Sequence, residues 1–210
     1  MLQFQSFFHT MTTKLEFIDT DVSREWITYS KIVHLFRLFF QSQTTKVLAY
    51  AKTFSDIDFT KLKSSWIQAI ILDVDDCIAP HHGEILPENK DIIEWLLKDF
   101  KIVVFSNMKK SNRYDELEKL WIQIVTSPFA KPDARWFEEC LKVLWTEATQ
   151  AVCIGDNYVT DGGCKNAGIE FIKVSPIQQD ENRSINRRVQ IAFQSLVDKI
   201  AQKRWHIPYS

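Results

Sequence analysis

The stretch Ile70-Ile71-Leu72-Asp73-Val74-Asp75-Asp76-Cys77 is an apolar, β-branched run that ends by delivering three carboxylates into a loop. Like charges this close repel strongly where the dielectric is low, so acids gathered at a strand tip share a metal or a proton. In open α/β sheets, ligands bind in the crevice outside the carboxyl ends of the strands. Asp73 and Asp75 would stand at that edge.

Downstream, short apolar runs alternate with longer amphipathic ones, the pattern of βαβ units on a parallel sheet. Five strands are expected: Gln68 to Val74, Lys101 to Phe105, Ile122 to Thr126, Ala151 to Ile154 and Glu170 to Val174. Between them, Pro87 to Phe100 reads as a helix with Pro near its start and Ile92, Ile93, Leu96 and Leu97 on one face. Ser111 to Trp121 and Pro132 to Trp145 read as helices too. The expected fold class is α/β, a Rossmann-like three-layer sandwich around a five-stranded parallel sheet, with extra helices at both termini.

Residues 1–65 differ in texture and form an expected N-terminal helical appendage to a core over residues 66–180. Within the appendage, Ile32, Val33, Leu35, Phe36, Phe39 and Phe40 share one helical side, opposite Lys31, His34, Arg37 and Gln41. Residues 181–210 read as a basic amphipathic helix packed on or beside the core. Its expected apolar stripe is Ile185, Val189, Ala192, Phe193, Leu196 and Ile200, and from Arg183 to Arg204 six basic residues face Asp198 alone. Such a helix either covers a core with a solvated face or lies on an anionic membrane.

The 210 residues carry 26 basic and 27 acidic side chains, a formal charge of −1, so no global field invites nucleic acid and none is expected as partner. Cys77, Cys140, Cys153 and Cys164 form no CxxC pair, which argues against structural zinc and for reduced, packed thiols. The first ten residues contain no Lys or Arg, and only Lys14 precedes Arg24. On that start, neither a secretory leader nor an Arg-rich transit peptide is expected. No apolar run approaches the roughly 20 residues of a membrane span. The expected location is cytoplasmic, either in solution or at the periphery of an anionic membrane.

Three further signals share the position of the first. Val104-Phe105-Ser106-Asn107 ends a strand in hydrogen-bonding groups, Phe129-Ala130-Lys131-Pro132 sets a lysine just before a helix, and Cys153-Ile154-Gly155-Asp156 runs on to Thr160-Asp161-Gly162-Gly163. A cation and free N–H groups at a helix start favour phosphate. Taken singly, each has a structural reading: Asp at a strand end caps helices, Ser-Asn makes turns, and Lys-Pro lies on surfaces. Their joint order is harder to explain that way. A doubly wound sheet gathers Asp73, Asp75, Ser106, Lys131, Asp156 and Asp161 at one edge.

In that order and spacing, DVDDC, FSN, KP and GDNYVTD resemble the four motifs of the haloacid dehalogenase (HAD) phosphatase superfamily, over roughly residues 66 to 175. The resemblance implies a phosphomonoester substrate, Mg²⁺ as cofactor, Asp73 as the nucleophile that forms an aspartyl-phosphate, and Asp75 as general acid and base. Ser106, Asn107 and Lys131 would bind the transferring phosphoryl group. Asp73, Asp75 through its backbone carbonyl, Asp156 and Asp161 would form the metal site. Asp76 and Cys77 depart from the superfamily's commoner residues, and Asp76 reads as loop structure.

The gaps between these motifs are too short for a cap domain, and capless members of the superfamily suit bulky substrates. Lys109, Lys110, Arg113 and His81 are the expected headgroup contacts, the first three ahead of His81, which shares a flap with His82 and Glu84; a surface histidine pair is usually solvated. The segments around TKLKSSWIQAIILDVDDCIAP, IGDNYVTDGGCKNAG and NRSINRRVQ are similar to the YqeG branch and the mitochondrial phosphatidylglycerophosphate phosphatases, which implies a lipid phosphate as substrate. Two alternatives stay open at this point: a phosphatase of another bulky or soluble phosphomonoester, and a non-catalytic HAD-like scaffold that binds a membrane or a partner.

Overall fold

The computed structural model describes residues 31–33, 47–106, 112–125, 127–177 and 185–205. Asn107, Lys109 and Lys110, the amphipathic stretch beyond Val33, and the start of the basic tail lie outside these residues.

Six strands form one sheet: β1 (Ala49–Ala51), β2 (Ala69–Leu72), β3 (Lys101–Phe105), β4 (Gln123–Val125), β5 (Ala151–Gly155) and β6 (Glu170–Val174). They lie in the order β1-β6-β5-β2-β3-β4, and every neighbouring pair is parallel. The parallel α/β architecture is as expected, and the strand count is corrected from five to six. The extra strand comes from residues assigned by sequence to the appendage. Its three residues, Ala-Tyr-Ala, are too short to show any periodicity, and it joins the sheet only through β6.

Alternate side chains of each strand enter opposite layers. Ile70, Leu72, Ile102, Val104, Val152, Ile154 and Ile172 pack with α1 (Phe59–Ser64), α2 (Pro87–Leu96) and Leu117 of α3 (Asp115–Lys119). Ala69, Ile71, Val103, Phe105, Cys153 and Phe171 pack with Trp136, Phe137 and Cys140 of α4 (Ala134–Leu144) and with Val197 of α5 (Ile185–Trp205). All four cysteines are buried, and Cys140 and Cys153 take their places in this second layer as small hydrophobes.

The C-terminal helix docks on a face other than the one its apolar stripe suggests. Val189, Phe193 and Leu196 are exposed, whereas Gln194, Val197 and Asp198 are buried. Asp198 pairs at 3.0 Å with Lys173 of β6, whose ammonium also donates to the Val174 carbonyl between the rings of Tyr50 and Tyr158. Leaving that lysine buried without its carboxylate would cost several kcal/mol, about 3–5 when one partner of such a pair is removed. Turning the apolar stripe inward would break this pair, so the ionic anchor sets the helix rotation.

Three helices end alike. Trp66, Trp121 and Trp145 adopt φ of 66°, 62° and 50°, and the next residue's N–H reaches back to a carbonyl five positions earlier: Ile67 to Leu62, Ile122 to Leu117 and Thr146 to Leu141. This is the Schellman arrangement, with tryptophan where glycine is usual. All three side chains are at least 80% exposed.

Candidate active site

The strand order reverses between β5 and β2, which sit side by side although the chain runs from β2 to β3 and β4 before reaching β5. Asp73 follows β2, and its N–H still donates to Ile154 of β5 at 2.9 Å. Asp156 follows β5 directly. The two acids therefore emerge at the topological switch point, where doubly wound sheets bind ligands.

Asp161 opens the 3₁₀ segment Asp161–Ala167 and folds back over the tip of β5. It can do so because residue 155 is glycine: a Cβ there would lie 2.4 Å from the Asp161 Oδ2. Gly163 serves the same purpose beside the next loop, since its Cβ would lie 2.5 Å from the Pro132 carbonyl oxygen. Lys131, just before α4 and its capping residue Asp133, is thereby pressed inward.

Lys131 Nζ donates to Asp73 Oδ1 at 2.5 Å and to Asp161 Oδ1 at 2.8 Å, and lies 3.7 Å from the centre of the Phe105 ring. Asp161 also accepts from the Asn157 N–H and the Thr160 hydroxyl. Asp156 Oδ2 accepts from Gln194 Nε2 at 2.6 Å. Asp73, Lys131, Asp156 and Asp161 are all buried. One carboxylate oxygen each of Asp73, Asp156 and Asp161 lie within 4.8 Å of one another.

Two carboxylates thus share one ammonium, and a third stands beside them. Burial pushes the Asp73 carboxyl up, Lys131 pulls it down, and the charge of Asp161 helps hold it at about 7. Asp156 is likewise raised, first by burial and then by Asp161 and Asp73, against the pull of Lys173 and Gln194. Burial opposes the charge of Lys131, but Asp161 and Asp73 overcome it and raise its pKa. The cluster lacks positive charge, and three convergent hard oxygen donors fit a divalent cation such as Mg²⁺.

Asp75 has a different setting. Its Oδ1 accepts from the His82 N–H and from Arg113 Nη1, each at 2.9 Å. Burial pushes this carboxyl up, but the His82 N–H and the Arg113 guanidinium outweigh it and hold it below the usual range. The Asp75 carboxylate groups with His81 and His82, whose ring centroids lie 3.9 Å apart, and not with Asp73, Asp156 and Asp161. Asp76 takes a left-handed φ of 60°, donates its N–H to the Ala79 carbonyl and accepts from the Ile177 N–H, as a loop-shaping residue does.

Of the expected phosphate contacts, Lys131 joins the cluster, Ser106 is buried and accepts from the Tyr114 hydroxyl at 2.9 Å, and Asn107 lies outside the described residues. Of the expected headgroup contacts, Arg113 turns inward to Asp75 with its side chain 7% exposed, His81 stays at the surface loop, and Lys109 and Lys110 lie outside. Tyr114 and Gln194 escaped the sequence reading. Tyr114 reads as one more apolar position of a helix, and Gln194 lies 38 residues beyond the acid it touches, in a helix whose apolar stripe points elsewhere.

A family model described as mitochondrial PGP phosphatase matches residues 30–167. No curated protein matches the chain. Among solved structures it is similar to an uncharacterized protein from Listeria monocytogenes serotype 4b, at 18% identity over 63% of this chain and 99% of that one, with a TM-score of 0.44. It is similar to the cobalt-bound deoxy-D-mannose-octulosonate 8-phosphate phosphatase of Haemophilus influenzae, at 17% identity over 68% and 93%, TM-score 0.42. A predicted HAD-like family hydrolase from Porphyromonas gingivalis matches at 12% identity over 60% and 98%, TM-score 0.46.

Proposed function

Since the chain belongs to the mitochondrial PGP phosphatase family, we propose that it is a Mg²⁺-dependent phosphomonoesterase of the haloacid dehalogenase type that works through an aspartyl-phosphate on Asp73 and takes a lipid phosphate such as phosphatidylglycerophosphate. The observation that carries this reading is the meeting of Asp73, Asp156, Asp161 and Lys131 in one buried cluster at the sheet's switch point.

Mg²⁺ held by Asp73, Asp156 and Asp161 would neutralise the phosphoryl oxygens and polarise the group for attack. The free carboxylate oxygen of Asp73 attacks phosphorus in line, the bond from phosphorus to the substrate alcohol breaks, and Asp75 gives its proton to the departing oxygen. Water then attacks the same phosphorus from the opposite side of the acyl-phosphate bond. Asp75 takes its proton, phosphate leaves, and the Asp73 carboxylate is restored. Lys131 balances phosphoryl charge throughout. Tyr114 donates to the Ser106 oxygen at 2.9 Å and so helps fix where the serine hydroxyl sits beside the phosphoryl position. Asp75 must be protonated for the first step, and an arriving phosphate gives Arg113 a second anion, which weakens its hold on Asp75.

The site is read as uncapped, because only residues 73–86 join β2 to α2 and only 106–122 join β3 to β4. An uncapped site leaves room for a headgroup still attached to a bilayer. Among the described residues no helix is long and apolar enough to cross a membrane. The proposed contact is peripheral, through the exposed Val189, Phe193 and Leu196 of α5, with exposed Arg188 and Lys199 on the same helix for anionic lipid. The family's description makes a mitochondrial membrane the surface to test, in place of the cytoplasm expected from the sequence.

The test has two arms. Asp73→Asn should abolish Mg²⁺-dependent release of phosphate from an aryl phosphate, and retained turnover would sink the mechanism. Phosphatidylglycerophosphate in vesicles should be turned over in preference to a panel of sugar and nucleoside phosphates. Preference for the soluble panel would overturn the lipid assignment and leave the chemistry standing.

A further inference from the structure

The four motif loops do not complete the acid cluster by themselves. Gln194, 6% exposed on α5, approaches Asp156 from outside them, and its amide nitrogen donates to Asp156 Oδ2 at 2.6 Å and to the Asp156 carbonyl at 2.8 Å. One amide group thus grips both the side chain and the backbone of one residue, which fixes the carboxylate's rotation and occupies Oδ2. A carboxylate oxygen of Asp156 lies within 4.8 Å of oxygens of Asp73 and Asp161.

We infer that Gln194 is a positioning residue for the cation site, holding the Asp156 carboxylate in its ligating posture so that α5 forms part of the active site. The inference rests on the metal-dependent reading above. Glutamine suits this task chemically: it orients an anion without bringing a charge, whereas a lysine in its place would compete with the cation for Asp156. The helix carries its own registration for the contact. Val197 packs in the core one turn on, and Asp198 is fixed by Lys173, so the amide is presented from a rigid element.

Outer-shell partners of metal ligands typically contribute about 10–100-fold in metal affinity. Gln194→Leu keeps the size and removes the donor. Titration of Mg²⁺ into metal-free full-length protein by calorimetry should show affinity weakened about tenfold or more, within that range. KM for an aryl phosphate at saturating Mg²⁺ should stay near the wild-type value. Val197→Ala is the control for mere helix docking, since it loosens the same helix without touching Asp156, and it should lower the melting temperature while Mg²⁺ affinity stays at the wild-type level. If Gln194→Leu does not fold, Gln194→Met asks the same question with a more adaptable side chain. Mg²⁺ affinity within twofold of wild type in the Gln194 variant, or an equal loss in Val197→Ala, overturns the inference and leaves the phosphatase reading intact. A wild type that takes up no Mg²⁺ overturns both.

Discussion

Replacing Asp73 by asparagine should destroy activity and, in the absence of metal, make the fold more stable. Asp73 is buried beside two other acids, and its carboxyl is carried from an ordinary 3.8 to about 7. A folded-state pKa above the unfolded one means that folding takes up a proton between those values. The associated stability is fully present below about pH 3.8 and is lost as pH rises through about 7. At 1.36 kcal/mol per pH unit, the ionised form above pH 7 costs the fold about 4 kcal/mol, to order of magnitude. Asparagine is neutral at every pH and escapes that cost, and the pull of Lys131 on the carboxylate is already contained in the value of about 7. The gain at pH 8 is therefore about 4 kcal/mol, to order of magnitude. For a chain of this size, each kcal/mol moves the melting temperature by about 2–4 °C. Calorimetric melts in chelator at pH 5, 6.5 and 8 should show the variant above wild type at pH 8, with the gap shrinking toward pH 5. A variant that melts at or below wild type at pH 8, or a gap that does not change with pH, would refute the reasoning.

Lys131→Met leaves Asp73 and Asp161 buried without their shared cation; a loss of about 3–5 kcal/mol is expected by denaturant unfolding, together with loss of phosphatase activity at saturating Mg²⁺. Arg113→Ala removes a charge that holds the Asp75 carboxyl down, so the limb of the kcat/KM profile that reports Asp75 should move to higher pH; an unmoved profile would separate Asp75 from the rate. Trp121→Gly relieves a left-handed residue whose side chain is 93% exposed, and should raise the melting temperature through a gain of roughly 0.5–1 kcal/mol. A lower melting temperature would mean that the indole contributes contacts worth more than the strain.

The sequence was most legible where side-chain period and position coincide. β2, β3 and β5 read as strands because they are buried on both faces and form nearly continuous apolar runs, β6 reads as one despite Lys173, and the acids Asp73 and Asp156 stand where the runs of β2 and β5 stop. β1 was illegible because its three residues hold no period and are recruited by β6 from a long way along the chain. The helix at the C-terminus was visible, but its buried face was not. That face is chosen by Lys173 and Asp156, two partners that only the folded sheet brings near. The same limit applies to Arg113: its charge suggests a surface role, and only the geometry aims it at Asp75.

Lys131 has one ammonium and already serves two carboxylates. On the proposed reading, a phosphate ester arrives as a further anion at a site that is already anion-rich. It can settle there only if Asp73 is relieved as a partner, and a divalent ion on Asp73 gives that relief. Ester and cation should therefore favour each other's binding, by the reciprocity that links any two ligands on one protein. The resting site then behaves as an ion-exchange lock, in which neither ligand alone displaces the internal salt and the pair together does. Inorganic phosphate should accordingly be a poor ligand in chelator and a good one in Mg²⁺.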